Sequence, residues 1–366
     1  MAEKMRVDQV GSLLRPEAVL KARASYAEGS VDADGLRMIE DMAIIKTLEM
    51  QREVGLPIFS DGEIRRDAWM SGLAAAVDGF TENHRMMHWT QLDGSTVDEP
   101  SLSKVAGSKL QQVRRITGHE AVFLKEHAPG PFKITMPSPI SIAASGYREG
   151  VTDIPYPDRA EFLKDLLDIV RGEMQELVKE GTAYIQLDEG FTGYVGDRSV
   201  YPVERAGRPI EEVLASDIAA ENSLYDALPR DGVTLAIHIC RGNSRSRWVG
   251  SGSYDGMAEQ VFSTLHVDRF LLEFDNDRSG GFEPLKYVPR GKTVVLGLVT
   301  TKHGELEEQD DLRRRIDEAS KYLPLDQLAI SPQCGFASVA DGNLLSEDDQ
   351  RRKLELVVDT ARKVWG

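Results

Sequence analysis

His238 and Cys240 stand two apart in the stretch HICRGNSRSRW, at the end of an apolar run. On an extended segment, residues i and i+2 point to the same side, so one imidazole and one thiolate in this register can chelate a single cation. The second of the chain's two cysteines, Cys334, follows another apolar run in LAISPQCG, and Glu273 closes a third in RFLLEFD. One nitrogen, two thiolates and a carboxylate make a tetrahedral set suited to Zn²⁺. An HxC pair alone is more often core filler. The argument for metal rests on both cysteines standing at strand ends, with Gly335 allowing close approach beside Cys334. Two cysteines form at most one disulfide, and in a reducing compartment metal binding or reactivity is the better first reading.

Other ionisable residues also collect where apolar runs end. Gly11-Ser12 closes the first run, Asp61-Gly62-Glu63 the second and Asp188-Glu189 the fourth, while the seventh leads into Thr300, Lys302 and His303. Arg241, Arg245 and Arg247 follow the HxC pair; their guanidinium forks suit a carboxylate, sulfonate or phosphate, and a solvated loop is the bland alternative. For Asp188 and Glu63 the bland alternative is a cap or an ion pair with an arginine such as Arg65 or Arg66. His119, His127 and His266 have no partner pattern, and Ser279-Gly280-Gly281 reads as a turn.

Eight β-branched runs supply these ends. They begin near Val7, Pro57, Phe132, Tyr184, Val233, Arg269, Lys292 and Leu328. Continuous apolar runs suit strands covered on both faces. Amphipathic helices fit between them. Residues 33–53 place Ile39, Met42, Ile45 and Leu48 on one stripe before Gly55. Residues 158–180 follow a possible Asp158 cap and carry Phe162, Leu166, Ile169 and Leu177. A last helix from Ser346 packs Leu354, Val357, Ala361 and Val364. The alternation predicts an α/β fold, a single (β/α)₈ TIM barrel over residues 1–366 whose active face lies at the carboxyl ends of its strands. The stretch from about 74 to 131 is too long for one simple connection. It reads as an insertion between the second and third strands, with His84, Met86, Met87, His88 and Trp89 as a lid or as packing on the rim.

Composition narrows the function classes. The chain has 366 residues, 41% hydrophobic and 28% charged, with a formal net charge of −16 and a pI near 5.0. Such a surface repels phosphate backbones, which argues against nucleic acid. No signal-like core and no run of about 20 apolar residues occurs, so no membrane partner is expected and the location predicted is cytoplasmic. The expected partners are small molecules; self-association into a homo-oligomer is left open.

Taken together, HxC at strand five, the strand-six carboxylate, PxCG at strand eight, VGS near the start, DGE at strand two and QxDE at strand four resemble the catalytic barrel of cobalamin-independent methionine synthase. HICRGNSRSRW, GLVTTK and LAISPQCGFAS are most similar to the short, single-barrel branch, which also includes epoxyalkane:coenzyme M transferase-like proteins. The resemblance implies that His238, Cys240, Glu273 and Cys334 hold zinc as cofactor. It implies that Glu63 and Asp188 bind the amino group of homocysteine and Ser12 its carboxylate; Arg241, from its guanidinium fork beside the metal pair and not from the resemblance, is a further candidate substrate contact. Lys302 or His303 would supply a proton to the leaving group. The chain departs from the full-length synthases in three places: there is no additional N-terminal barrel, Gly190 replaces a proline after QLDE, and ISIAAS stands where a tryptophan accompanies the folate. The expected activity is zinc-dependent methyl transfer to a thiol, homocysteine foremost, from a donor that these departures leave open. Alkyl transfer to coenzyme M, a non-catalytic barrel with structural zinc and a uroporphyrinogen-type decarboxylase are the competing readings.

Overall fold

The computed structural model describes residues 5–196 and 207–366. Eight strands are present among the described residues. β1 (Val77–Thr90) and β2 (Thr96–Gln112) pair as an antiparallel hairpin. β3 (Lys133–Pro137), β4 (Tyr184–Asp188), β5 (Thr234–Ile239), β6 (Arg269–Glu273), β7 (Thr293–Val299) and β8 (Leu328–Pro332) form one parallel sheet in sequence order. Every residue of these six strands is buried, as continuous apolar runs between helix layers require. They coincide with the third to eighth apolar runs.

The first two runs behave differently. Each makes a single parallel bridge at one edge of the sheet, Val7 with Ile330 of β8 and Phe59 with Phe132 just before β3. The two segments also touch, since the Leu13 N–H donates to Gly62 O at 2.9 Å and the Ser60 hydroxyl to Gly11 O at 3.0 Å. Side chains take backbone groups that a ladder would use. The Gln51 amide both donates to Ser60 O (2.8 Å) and accepts from its N–H (3.0 Å). Positive φ at Gly62 (67°) and Glu63 (56°) then ends the extended run. At the amino ends of the strands, Asp8 accepts from Lys133 Nζ at 2.9 Å and Tyr184 OH at 2.8 Å, fastening the first segment under β3 and β4.

The helices follow their capping signals. Asp32 accepts from Gly35 N–H to start Ala33–Val54, and Gly55 ends it at φ 87°. Asp158 caps Arg159–Lys179, and Ser346 with Asp349 builds a capping box on Glu347–Trp365. One predicted stripe is corrected. In Ala33–Val54, Met42 is 58% and Ile45 38% exposed, while Ala43, Ile44, Thr47, Leu48 and Gln51 face inward. The buried stripe includes polar groups because they have work there, Gln51 on Ser60 and Glu40 on the Arg23 guanidinium. Among the described residues no helix is long and apolar enough to cross a membrane.

Candidate metal and thiol site

Parallel pairing of β4 with β5 puts Asp188 opposite His238, and the same strands carry Glu189 and Cys240 just beyond their ends. Cys334 arrives from the turn after β8. His238, Cys240 and Cys334 are all buried and each offers one ligand atom, these lying within 4.8 Å of one another. The cysteines are not bridged. His238 Nδ1 donates to Leu271 O at 3.1 Å, which orients the ring and leaves Nε2 buried without a hydrogen-bond partner. A ring nitrogen anchored on a carbonyl, with the other free beside two sulfurs, is how metal-ligating histidines are held. The donor set therefore fits zinc on its own chemistry.

The protons of this group are shared unequally. Cys240 beside it, and His238, hold the Cys334 thiol well below its usual value in spite of burial. Cys240 is pushed up by Cys334 and by burial. Burial opposes charge on His238, but the Cys334 sulfur outweighs it and raises the imidazole to about 9. One sulfur thus carries the anionic character, the state a cation would meet.

Glu273 is not gathered with these three. One of its oxygens accepts the Arg241 backbone N–H at 2.9 Å, and the other is engaged by the Arg278 guanidinium. Burial opposes its charge, yet Arg278, Lys302 and Arg241 hold the carboxyl down at about 2. Its backbone is adjacent to the site; its side chain is satisfied by a cation from its own chain. Glu189, unassigned on sequence grounds, comes closer. Its Oε1 accepts from the Cys240 thiol at 3.4 Å and its Oε2 has no hydrogen-bond partner. A φ of 64° at this non-glycine residue turns the side chain out of the strand path.

Other expected site residues are distributed as follows. Glu63 is buried, accepts from Thr135 Oγ1 at 2.8 Å and keeps Oε2 unpartnered. Arg66 lies 3.5 Å away but spends its bidentate contact on Glu120. Asp188 is raised to about 7, first by burial and further by Glu63, against the pull of His238 and the Gln186 amide. Ser12 packs so tightly on Gly335 that a Cβ there would lie 1.9 Å from its hydroxyl. Arg241 is a correction. It is fully buried, and its side chain donates to Gly252 O, Tyr254 OH, Glu273 O and Ser279 O, which leaves no fork for a substrate. Arg245 pairs with Asp341 and Arg247 with Glu99 of β2. Lys302 is buried with Nζ 3.2 Å from Asn243 Oδ1, and burial followed by Arg278 lowers its pKa. His303 is half-buried with Nδ1 unpartnered. Asn243, which no sequence pattern marked, also donates to Gly335 O at 2.7 Å and so ties the loops after β5, β7 and β8 together.

The hairpin roofs this region. Thr90 and Trp248 exchange backbone hydrogen bonds of 2.7 and 3.1 Å, and Met87 packs on Val249. Between the roof and the strand ends lies a cavity of about 390 Å³, lined among others by Trp69, Phe80, Trp89, Glu189 and Asn243. Of the residues predicted to cover the mouth, Met87 and Trp89 face inward, whereas His84, Met86 and His88 are exposed.

An α/β chain with a parallel sheet and a buried imidazole–dithiol group at its carboxyl edge matches a known class. The family described as "Cobalamin-independent synthase, Catalytic domain" matches residues 6–363, and the chain belongs to it. The protein is similar to the uncharacterised YxjG of Bacillus subtilis (strain 168), at 39% identity over 98% of this chain and 94% of that one. It is also similar to a methionine synthase of Pyrococcus abyssi (strain GE5 / Orsay), at 24% identity over 89% of this chain and 85% of that one. A solved structure from Listeria monocytogenes, described as a putative vitamin-B12 independent methionine synthase, superposes with a TM-score of 0.76 at 31% identity, covering 99% of this chain and 98% of that chain.

Proposed function

We propose that this protein is a zinc-dependent methyltransferase whose acceptor is a thiol, homocysteine, giving methionine. The observation that carries the reading is the convergence of His238, Cys240 and Cys334, with a buried His238 Nε2 that makes no hydrogen bond. Family membership among cobalamin-independent synthases supports it. We place the site in one (β/α)₈ barrel domain, the edge bridges of Val7 and Phe59 marking its first two strands and the hairpin its inserted roof.

Zinc bound by His238, Cys240 and Cys334 would stabilise the thiolate of the acceptor at neutral pH. Glu63 and Asp188 act on the acceptor's ammonium group. Glu63 disfavours the charge on Asp188, and an ammonium between them relieves this. Ser12 and the Gly335 backbone close the carboxylate end. Glu273 would serve as a fourth donor if the ion took the place of Arg278 beside it. Asn243 fixes Lys302 beside Cys334 and Glu273. An acceptor with a sulfonate in place of the amino group would need an uncommitted arginine. Arg241, Arg245 and Arg247 are all engaged, which favours the amino-acid thiol over coenzyme M.

The test is metal analysis followed by methionine formation from homocysteine with a panel of methyl donors, on wild type and Cys334→Ser. Methylation of homocysteine that needs zinc and vanishes in the variant supports the reading. A protein that takes up no zinc at neutral pH contradicts it.

A further inference from the structure

Gln186 stands two residues before Asp188 in the QLDE run and is not itself one of the groups proposed to meet the acceptor. Tyr184, Gln186 and Asp188 alternate along β4 and so share one face, and Gln186 is fully buried. Lys133, opposite Tyr184 in the β3–β4 ladder, is buried too. As an ammonium it donates three hydrogen bonds and accepts none. They go to Asp8 Oδ1 at 2.9 Å, to Gln186 Oε1 at 2.8 Å and to Gln9 O. The two N–H groups of the Gln186 amide go to Val10 O at 2.6 Å and to Asp188 Oδ1 at 2.7 Å. Donors and acceptors balance, and only one orientation of the amide allows it. Flipped, the amide would turn its N–H groups on the Lys133 ammonium and its oxygen on a carbonyl and a carboxylate. All three bonds would be lost where no water replaces them.

The consequence falls on Asp188. The terminal torsion of a carboxylate is broad, so the group has no sharp angle of its own, and here Gln186 Nε2 pins one oxygen. The tether has a fixed origin, because Asp8, which anchors Lys133, is itself held by Tyr184 OH at 2.8 Å. We infer that Gln186 is a positioning residue for the amino-acid acceptor: its Nε2 holds Asp188 Oδ1, which sets Oδ2 for the acceptor's ammonium group, and Lys133 keeps the amide the right way round. This rests on the homocysteine reading above, in which Asp188 receives the ammonium. Gln186 reaches the acceptor only through Asp188. A thiol without the amino group is therefore indifferent to it.

Calorimetry on the zinc-loaded full chain separates this from a packing role, with homocysteine and its deamino counterpart 4-sulfanylbutanoate as probes. Wild type should bind homocysteine the more tightly. Gln186→Met removes the amide at similar length, and Gln186→Asn keeps an amide too short to reach Asp188. Either should weaken homocysteine by about tenfold, the worth of one hydrogen bond to a charged group, and leave 4-sulfanylbutanoate binding and zinc stoichiometry unchanged. In an Asp188→Asn background the same substitutions should cause no further loss, because groups acting as one unit do not add. In turnover the loss should fall on the KM for homocysteine rather than on kcat. Equal weakening of both thiols, undiminished homocysteine binding in a folded Gln186 variant, or losses that add to that of Asp188→Asn overturns the inference. Each of these leaves the homocysteine reading standing as long as wild type prefers homocysteine. Wild type that binds both thiols alike, before any substitution, removes recognition of the amino group and takes the homocysteine reading with it.

Discussion

Glu273 Oε2 accepts the backbone N–H of Arg241 at 2.9 Å. This bond joins the end of β6 to the residue after Cys240, so the carboxylate is aimed along the rim of the site while Arg278 covers its other oxygen. A buried acid held at about 2 is ionised under all ordinary conditions, and the cation beside it is exchangeable in principle for another.

Replacing Arg278 with methionine removes that cation and strands a buried negative charge. Breaking a buried pair from one side costs about 3 kcal/mol or more. The metal-free Arg278→Met protein should melt well below wild type, and zinc should restore a larger part of the loss than it adds to wild type, because Glu273 gains a new counter-charge. Thermal melts of both proteins with a chelator and with added zinc measure this. Equal zinc-induced shifts would remove Glu273 from the set of donors.

Cys240→Ser and Cys334→Ser exchange a soft thiolate for a hydroxyl that stays protonated. Each should weaken zinc by about 100-fold or more, read by competition with a chromophoric chelator. Both side chains are small and buried, so circular dichroism should stay close to wild type. Retained stoichiometric zinc in both variants would mean that the ion, if present, sits elsewhere.

Arg241 bridges the β5 end to three carbonyl groups and Tyr254, and its guanidinium stacks 4.3 Å from that ring centre. Arg241→Ala leaves these acceptors buried and unpaired, a loss of about 3 kcal/mol or more in denaturant unfolding. Arg241→Lys should recover little of it, since one ammonium cannot span the fork. A stable variant with a selectively raised KM for the thiol would restore Arg241 to substrate binding.

How far the sequence reveals this arrangement depends on what each signal encodes. Burial on both faces writes β3–β8 as unbroken apolar runs, and the signals at Gly55, Asp158 and Ser346 are local, so these were legible. The segments at Val7 and Phe59 show the same apolar character, but whether they form ladders depends on Gln51 and Ser60 side chains reaching backbone groups, which no periodicity reports. The inward stripe of Ala33–Val54 was misplaced for the same reason, since Glu40, Thr47 and Gln51 are polar residues buried by their partners. His238, Cys240 and Cys334 were legible because ligand chemistry restricts residue type. Glu189 and Asn243 were not, because a carboxylate or amide after a strand has many uses, and only a φ of 64° or a contact to Lys302 separates them. Arg241 misled because an arginine beside a metal motif reads as an anion site, whereas its acceptors are Tyr254 and the carbonyls of Gly252, Glu273 and Ser279.

Glu221 offers a pH test away from the metal group. It is buried behind the sheet, accepts from Ser138 Oγ at 3.0 Å and Tyr225 OH at 3.3 Å, and burial pushes it up to about 8 from an ordinary 4.5 despite those bonds. Between these two values the folded state holds a proton that the unfolded state has released. Stability therefore falls as pH rises through this window, and the contribution of the protonated form is complete only below 4.5. Glu221→Gln keeps a neutral amide of similar shape. It should match wild type near pH 4 and exceed it by a few kcal/mol near pH 8, with a flatter profile between. Denaturant unfolding at four or five pH values measures the slopes, and identical slopes for the two proteins would show that Glu221 is already ionised in the fold at neutral pH.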